Sequence, residues 1–132
     1  MMIHSYNVAT TLAAYRVVSA LTGTGNTVQY PPNAAGPLLG ITTDTVKDTT
    51  GAIPVAGPGE RALLFFNDTV TSGMLVGADT SGRGVPYTIA ADTTTSLTVT
   101  SAYIGILIGA SVAVTGTIAE VLVQPGIAKG TR

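Results

Sequence analysis

The chain has no cysteine, no tryptophan, two phenylalanines and one histidine in 132 residues. Without cysteine there are no disulfides, no cysteine-based zinc sites and no thiol nucleophile, although the compartment stays open. The single histidine, His4, stands too near the N-terminus for a Ser-His-Asp triad to be expected around it. Charge is equally scarce. Six Lys and Arg stand against seven Asp and Glu, 10% of the chain with a net charge of −1, where soluble domains carry about 25%. The basic residues scatter from Arg16 to Arg132 and form no stripe for a nucleic-acid backbone, so direct nucleic-acid binding is not expected.

What is present is 45% hydrophobic but only 5% aromatic, with 16 glycines and a mean hydropathy of +0.45. The core must come from many small aliphatic and β-branched side chains, which fit the pleated surface of a sheet. The length suits one domain spanning residues 1–132. Low charge also bears on partners. A subunit covered by copies of itself or by a larger body needs little charge, and a threonine-rich surface is the alternative explanation.

Ser101 to Ala119 is uncharged and contains Gly105-Ile-Leu-Ile-Gly109, which raises a membrane span. Ser111, Thr115 and Thr117 interrupt it and no Lys/Arg cluster orients it, so strands are the better reading and no membrane is expected. The N-terminus lacks the basic region of a signal peptide, and Tyr15-Arg16 breaks its apolar stretch.

Along the chain, residues 1–14 read as an extended arm, ordered on a partner. Residues 8–20 are ambiguous between helix and strand, with a strand from about Tyr15 to Leu21 favoured. A Thr22–Asn26 turn and a Thr27–Tyr30 return strand follow. Further strands are expected at Leu38–Thr43, Ala52–Ala56, Arg61–Asn67, Met74–Ala78, Val85–Ile89, Ser96–Thr100 and Tyr103–Val123, with residues 124–132 as a tail. Pro86 places its strand at an edge or bulge. Phe65 and Phe66 are adjacent, so they face opposite sides; one suits the core, and Phe66 is taken as the one facing a partner or a second sheet.

One pattern occurs twice. Leu38-Leu39-Gly40-Ile41 is followed by Thr50-Gly51-Ala52-Ile53, and sixty-five residues on Tyr103-Ile104-Gly105-Ile106 is followed by Thr115-Gly116-Thr117-Ile118. This is either chance in a glycine-rich chain or two similar hairpins. Gly40, Gly51, Gly105 and Gly116 are read as structural, with Gly40 and Gly105 placed where a strand bends or a neighbouring backbone comes close.

No catalytic constellation stands out. Most carboxylates fall in turns, and Asp44 and Asp48 lack a calcium-loop spacing. Glu120 lies among apolar residues and either faces solvent or pairs with Arg61 or Arg83. Gly57-Pro58-Gly59, Gly82-Arg83-Gly84 and Gly23-Thr24-Gly25 match neither a phosphate loop nor a dinucleotide fingerprint. No enzyme, metal or cofactor is expected.

The order Leu38-Leu-Gly-Ile-Thr42, Ile53-Pro-Val55, Ser72-Gly-Met-Leu-Val76, Asp79-Thr-Ser-Gly-Arg-Gly-Val-Pro86, Tyr103-Ile-Gly-Ile106 and Val121-Leu-Val-Gln-Pro-Gly126 resembles tailed-bacteriophage capsid decoration (cement) proteins. The family's Gly-Asp before the hairpin strand is here Gly73-Met74, and residues 1–37 lie outside the match. The resemblance implies a β-barrel or β-tulip-like subunit on the capsid exterior of the virion, made in the host cytoplasm during assembly. It implies a homotrimer that binds the major capsid protein and stabilises the shell.

The composition itself points to an all-β barrel or sandwich of short antiparallel strands with an extended N-terminal arm. That arm, with Ile3, His4, Tyr6 and Asn7, is the expected partner contact together with Phe66. The alternative function is a receptor- or glycan-binding knob of a virion fibre or spike, for which Tyr6, Tyr15, Tyr30, Tyr87 and Tyr103 are the candidate stacking residues.

Overall fold

A computed structural model describes residues 3–8, 11–21, 23, 25–32, 38–43, 52–87 and 98–131. The fold is all-β. Its strands are β1 (Ile3–Val8), β2 (Val17–Ala20), β3 (Thr27–Gln29), β4 (Gly40–Thr42) and β5 (Ala52–Ala56), then β6 (Arg61–Phe65), β7 (Leu75–Ala78), β8 (Gly84–Pro86), β9 (Thr98–Leu107) and β10 (Ile118–Thr131).

The first five strands close into a barrel in the order β1-β3-β2-β4-β5. Its small core holds Val8, Leu12, Val18, Val28, Ile53 and Val55. The β2–β3 turn uses left-handed backbone at Gly23 and Asn26, residue types that tolerate it. Closure comes from the N-terminal segment. β1 runs antiparallel to β5, from Ile3 opposite Ala56 to Asn7 opposite Ala52, and parallel to β3 at Asn7–Thr27 and Val8–Val28.

This corrects one expectation. Residues 3–8 are extended, but they form a barrel stave rather than a free arm; without β1, the edges of β3 and β5 would stand open. The β1–β3 pairing is parallel, in a fold of otherwise antiparallel strand pairs.

The other five strands form a sheet in the order β6-β10-β9-β7-β8. A parallel bridge between Phe66 and Gly84 draws its two edges together, and Asn67 N–H donates to Gly84 O at 2.9 Å. The sheet therefore curls around Phe66. A Cβ on Gly84 would lie 2.7 Å from the Phe66 ring, so glycine there leaves room for the aromatic. Residues 124–131, expected as a tail, continue β10 instead, past an irregularity between Val123 and Gly126. That irregularity absorbs Pro125 without ending the strand.

The uncharged run 101–119 is strand, loop and strand, and no helix among the described residues is long and apolar enough to cross a membrane. The repeated pattern corresponds to two antiparallel pairs, β4–β5 and β9–β10. Adding sixty-five to the Ile41–Ala56 pair gives Ile106–Val121, and the observed pair is Ile106–Leu122, one residue out of step. In both pairs the glycine sits under the partner's carbonyl. A Cβ on Gly40 would run into Ala56 O, and one on Gly105 into Leu122 O.

The barrel and the sheet share one apolar core, in which Val17, Ile41 and Ala56 join Leu64, Phe66, Val76, Leu107 and Val121. Main-chain bonds also tie the two together. Tyr15, at φ 62°, presents its carbonyl to Phe65 N–H at 2.9 Å, and Val17 N–H donates to Gly82 O at 2.7 Å.

Candidate partner-binding surface

Several polar residues of interest in the sequence turn out to hold the joint. Asp79 organises the β7–β8 turn, its Oδ1 accepting from Ser81 and Arg83 N–H, both at 2.9 Å. Its Oδ2 takes the Arg83 guanidinium at 2.9 Å and the Asn67 amide at 3.3 Å. Gly82, at φ 74°, is buried against the barrel, where a Cβ would meet Val17 O at 2.6 Å and the Tyr30 ring at 2.9 Å. Arg16 lies over the Phe65 ring at 4.7 Å, with Nη1 donating to Ser81 O at 3.4 Å. Thr42 is fully buried, donating to Ala13 O at 2.7 Å and accepting from Arg16 N–H at 3.0 Å.

These groups hold structure together. Among the described residues no three His, Asp or Glu gather as a metal site. Asp44 and Asp48 lie outside the described residues.

The expected contact residues do not converge. The backbones of Ile3 and His4 pair with Ala56 and Val55 inside the barrel, Tyr6 packs half-buried on its core, and Asn7 is exposed with its N–H on Asn26 O. Phe66 is fully buried within the chain, which corrects its placement as a partner contact; Phe65 is the half-exposed ring of the pair. The inward choice follows from Gly84, which offers Phe66 a space that no side chain fills. Gly116 serves a turn at φ 90°, and Gly51 lies outside the described residues. The five tyrosines are all half-buried, and Tyr87 and Tyr103 pack edge-on at 5.4 Å.

The exposed apolar side chains are elsewhere. Leu63, Ile108 and Ile118 are 45%, 37% and 44% exposed, and Met74 and Val114 more so. Directly opposed residues in an antiparallel pair share a face. The outer face of β6 and β10 therefore carries Phe65 opposite Ile118, Leu63 opposite Glu120, and Arg61 opposite Leu122. The last row continues to Ile106 and Leu75. Ile108 borders the face, with its N–H on Glu120 O at 3.1 Å. Arg61 and Glu120 stand on it and form a loose ion pair, Arg61 Nη1 to Glu120 Oε1 at 4.0 Å. Sequence alternation marks β6 as amphipathic only by parity. That Leu63 faces out follows from Leu64 and Phe66 facing in.

No sequence family matches the chain, and no curated protein matches it in sequence. A solved structure does share its fold. The head fiber gp8.5 N base of bacteriophage phi29 superposes with a TM-score of 0.63 at 13% identity, covering 93% of each chain. The end-to-end coverage includes both the barrel and the curled sheet, so the two-part architecture as a whole is the shared feature.

Proposed function

We propose that this chain is a structural component of a bacteriophage virion that attaches to the outside of the head as a homo-oligomer. It acts as a decoration protein stabilising the shell or as the base of a head fibre. The observation that carries this is the whole-length likeness to a head fiber base, joined by the resemblance of residues 38–126 to capsid decoration proteins. Low charge and a surface with exposed apolar residues support a role in adhesion. By mass action, binding that favours the assembled shell would stabilise that shell.

The test is made on particles of the phage that encodes the chain, prepared with and without its gene. Mass spectrometry and electron microscopy of intact particles should find the protein on the head exterior of the first and not the second. A decoration role predicts that particles lacking it open at lower temperature. A fibre base predicts unchanged head stability and loss of a projection. Absence of the protein from intact particles would refute both.

A further inference from the structure

We propose that the outer end of the β9–β10 ribbon holds the oligomer together, its β10 edge pairing with the β9 edge of the next copy around a three-fold axis. This rests on the homo-oligomer in the reading above and names the strands that make it.

β9 and β10 stay paired from Leu107–Val121 out to Thr98–Thr131, but their neighbours stop early. β6 follows β10 only from Ile118 to Leu122, and β7 meets β9 only at Gly105 and Ile106. Among the described residues no third strand lies beside Thr98–Ser101 or Ala128–Thr131. The ribbon runs on as two strands for about 13 Å at about 3.3 Å per residue, and two strands alone are marginal in water.

The ladder fixes which main-chain groups are left open. Leu107 N–H donates to Met74 O on the β7 side, so by alternation Ser101 and Val99 turn their N–H and C=O to that same edge. Their opposites, Ala128 and Gly130, turn theirs to the far edge of β10. Both edges of the ribbon are therefore rows of unpaired donors and acceptors. Folds guard such rows with proline, bulges or charge. Here Pro125 and the irregularity at Val123–Gly126 lie before the open stretch. Lys129 is the one charge in the two open segments, and its own N–H belongs to the pair with Thr100 inside the ribbon.

Two open edges select the occupant. A strand from another protein covers one edge and leaves the other, whereas a copy of the ribbon brings the complement of both. With the axis along the strands, every β10 runs one way and every β9 the other, so each contact between copies is antiparallel. Three ribbons then close a six-stranded barrel that has no edge. Three is also the number that the resemblance to capsid decoration proteins implies.

The experiment is light scattering after size exclusion, across a concentration series, on the purified chain and the variants V99P, G130P and V99T. Proline at position 99 or 130 removes an N–H from an open edge and spares the ribbon's own ladder, as Pro86 does in edge strand β8. The chain itself should have the mass of three copies and dissociate on dilution. V99P and G130P should each stay single chains, and V99T, which keeps its N–H, should match the unchanged chain. Each proline variant retains one sound edge, so a concentrated mixture of the two should reach the mass of two chains and stop there. If a proline variant unfolds by circular dichroism, amide exchange of the unchanged chain decides. Ser101, Ala128 and Gly130 N–H should exchange slowly in the oligomer and fast on dilution.

A single-chain mass at all concentrations overturns the proposal, as does an oligomer indifferent to both prolines or one whose three marked amides exchange freely. A pair formed by V99P or G130P alone would mean that like edges meet, and a mixture that stays single would mean that unlike edges do not; either refutes the ring. If the purified chain is monomeric yet found on heads, the ribbon contact fails and the virion assignment stands. If V99P loses head binding without ever altering solution mass, the edge serves a capsid protein and the contact between copies is refuted.

Discussion

Gly82 and Gly73 allow the joint between barrel and sheet to be measured. Both are glycines with left-handed backbone, at φ 74° and 88°. An alanine at either pays the steric cost of that conformation, about 1–2 kcal/mol, less a shared gain of about 0.4–1 kcal/mol from a stiffer unfolded chain. Their surroundings differ. At Gly73 nothing lies within 4 Å of the added Cβ, whereas at Gly82 Val17 O, the Tyr30 ring and Arg16 Cβ lie at 2.6, 2.9 and 3.1 Å. Two of those three are barrel groups fixed by their own packing, and relief requires the turn to withdraw. Withdrawal breaks the bond from Val17 N–H to Gly82 O and leaves a donor in the core, at a cost of about 1–3 kcal/mol. Gly82→Ala should therefore be less stable than Gly73→Ala by about 2 kcal/mol, and the conformational term cancels in the difference. Urea unfolding of the two variants, followed by far-ultraviolet circular dichroism, reads it directly. By melting, the gap should be roughly 8 °C for a domain of this size. A gap below about 0.5 kcal/mol would mean that the turn does not bear on the barrel, and the account of the joint would be wrong.

Phe66→Ala should cost about 3–5 kcal/mol in the same urea assay, while Leu63→Ala, three positions back but facing out, should change stability by less than about 1 kcal/mol; equal costs would reverse the assigned faces. Removing residues 1–8 should collapse the dispersion of barrel amides in a two-dimensional NMR spectrum, whereas loss of a free arm would leave the remaining peaks in place. Asp79→Ala removes the acceptor of two backbone N–H groups and one guanidinium and should cost about 2–3 kcal/mol, with faster amide exchange confined at first to the β7–β8 turn. Arg61→Ala and Glu120→Ala, tested where the chain is monomeric, should each cost less than about 1 kcal/mol because the pair is loose and exposed.

Local chemistry was legible and long-range partnership was not. The strand expected at Arg61–Asn67 is observed at Arg61–Phe65, and the one expected at Met74–Ala78 at Leu75–Ala78, because apolar content and turn residues act within a few positions. Pro86 stands in an edge strand, as a residue without an N–H must. Gly40 and Gly105 do sit where a neighbouring backbone approaches closely. The N-terminal segment was read as free because nothing in Ile3–Val8 names the strand it pairs with, and its partner β5 lies some fifty residues away. Pro125-Gly126 looked like the end of a strand, since a bulge is a property of a pair and a single strand does not announce it. The choice between Phe65 and Phe66 likewise depends on Gly84, eighteen residues on from Phe66. The apolar outer face was missed for the same reason. Leu63, Ile118 and Ile108 come together only once β6 and β10 are paired.

The scarcity of charge takes on a different meaning once the ions are placed. Arg16 and Arg83 are held at the joint by Phe65, Ser81 O and Asp79, and Asp68 Oδ1 accepts from Thr69 N–H in its own turn. A chain with few ions has used several of them to fasten two small β-layers, neither of which has a large core. Among the described residues the barrel's own cluster holds six buried side chains, and its closing strand pairs with a segment some fifty residues on. Docking on the curled sheet through Val17, Ile41 and Ala56 extends that core without adding charge. The outer face of β6 and β10 then carries the loose Arg61–Glu120 pair beside exposed Leu63 and Ile118. Water solvates such a face poorly, so the economy of ions that builds the joint also leaves apolar side chains exposed beside it.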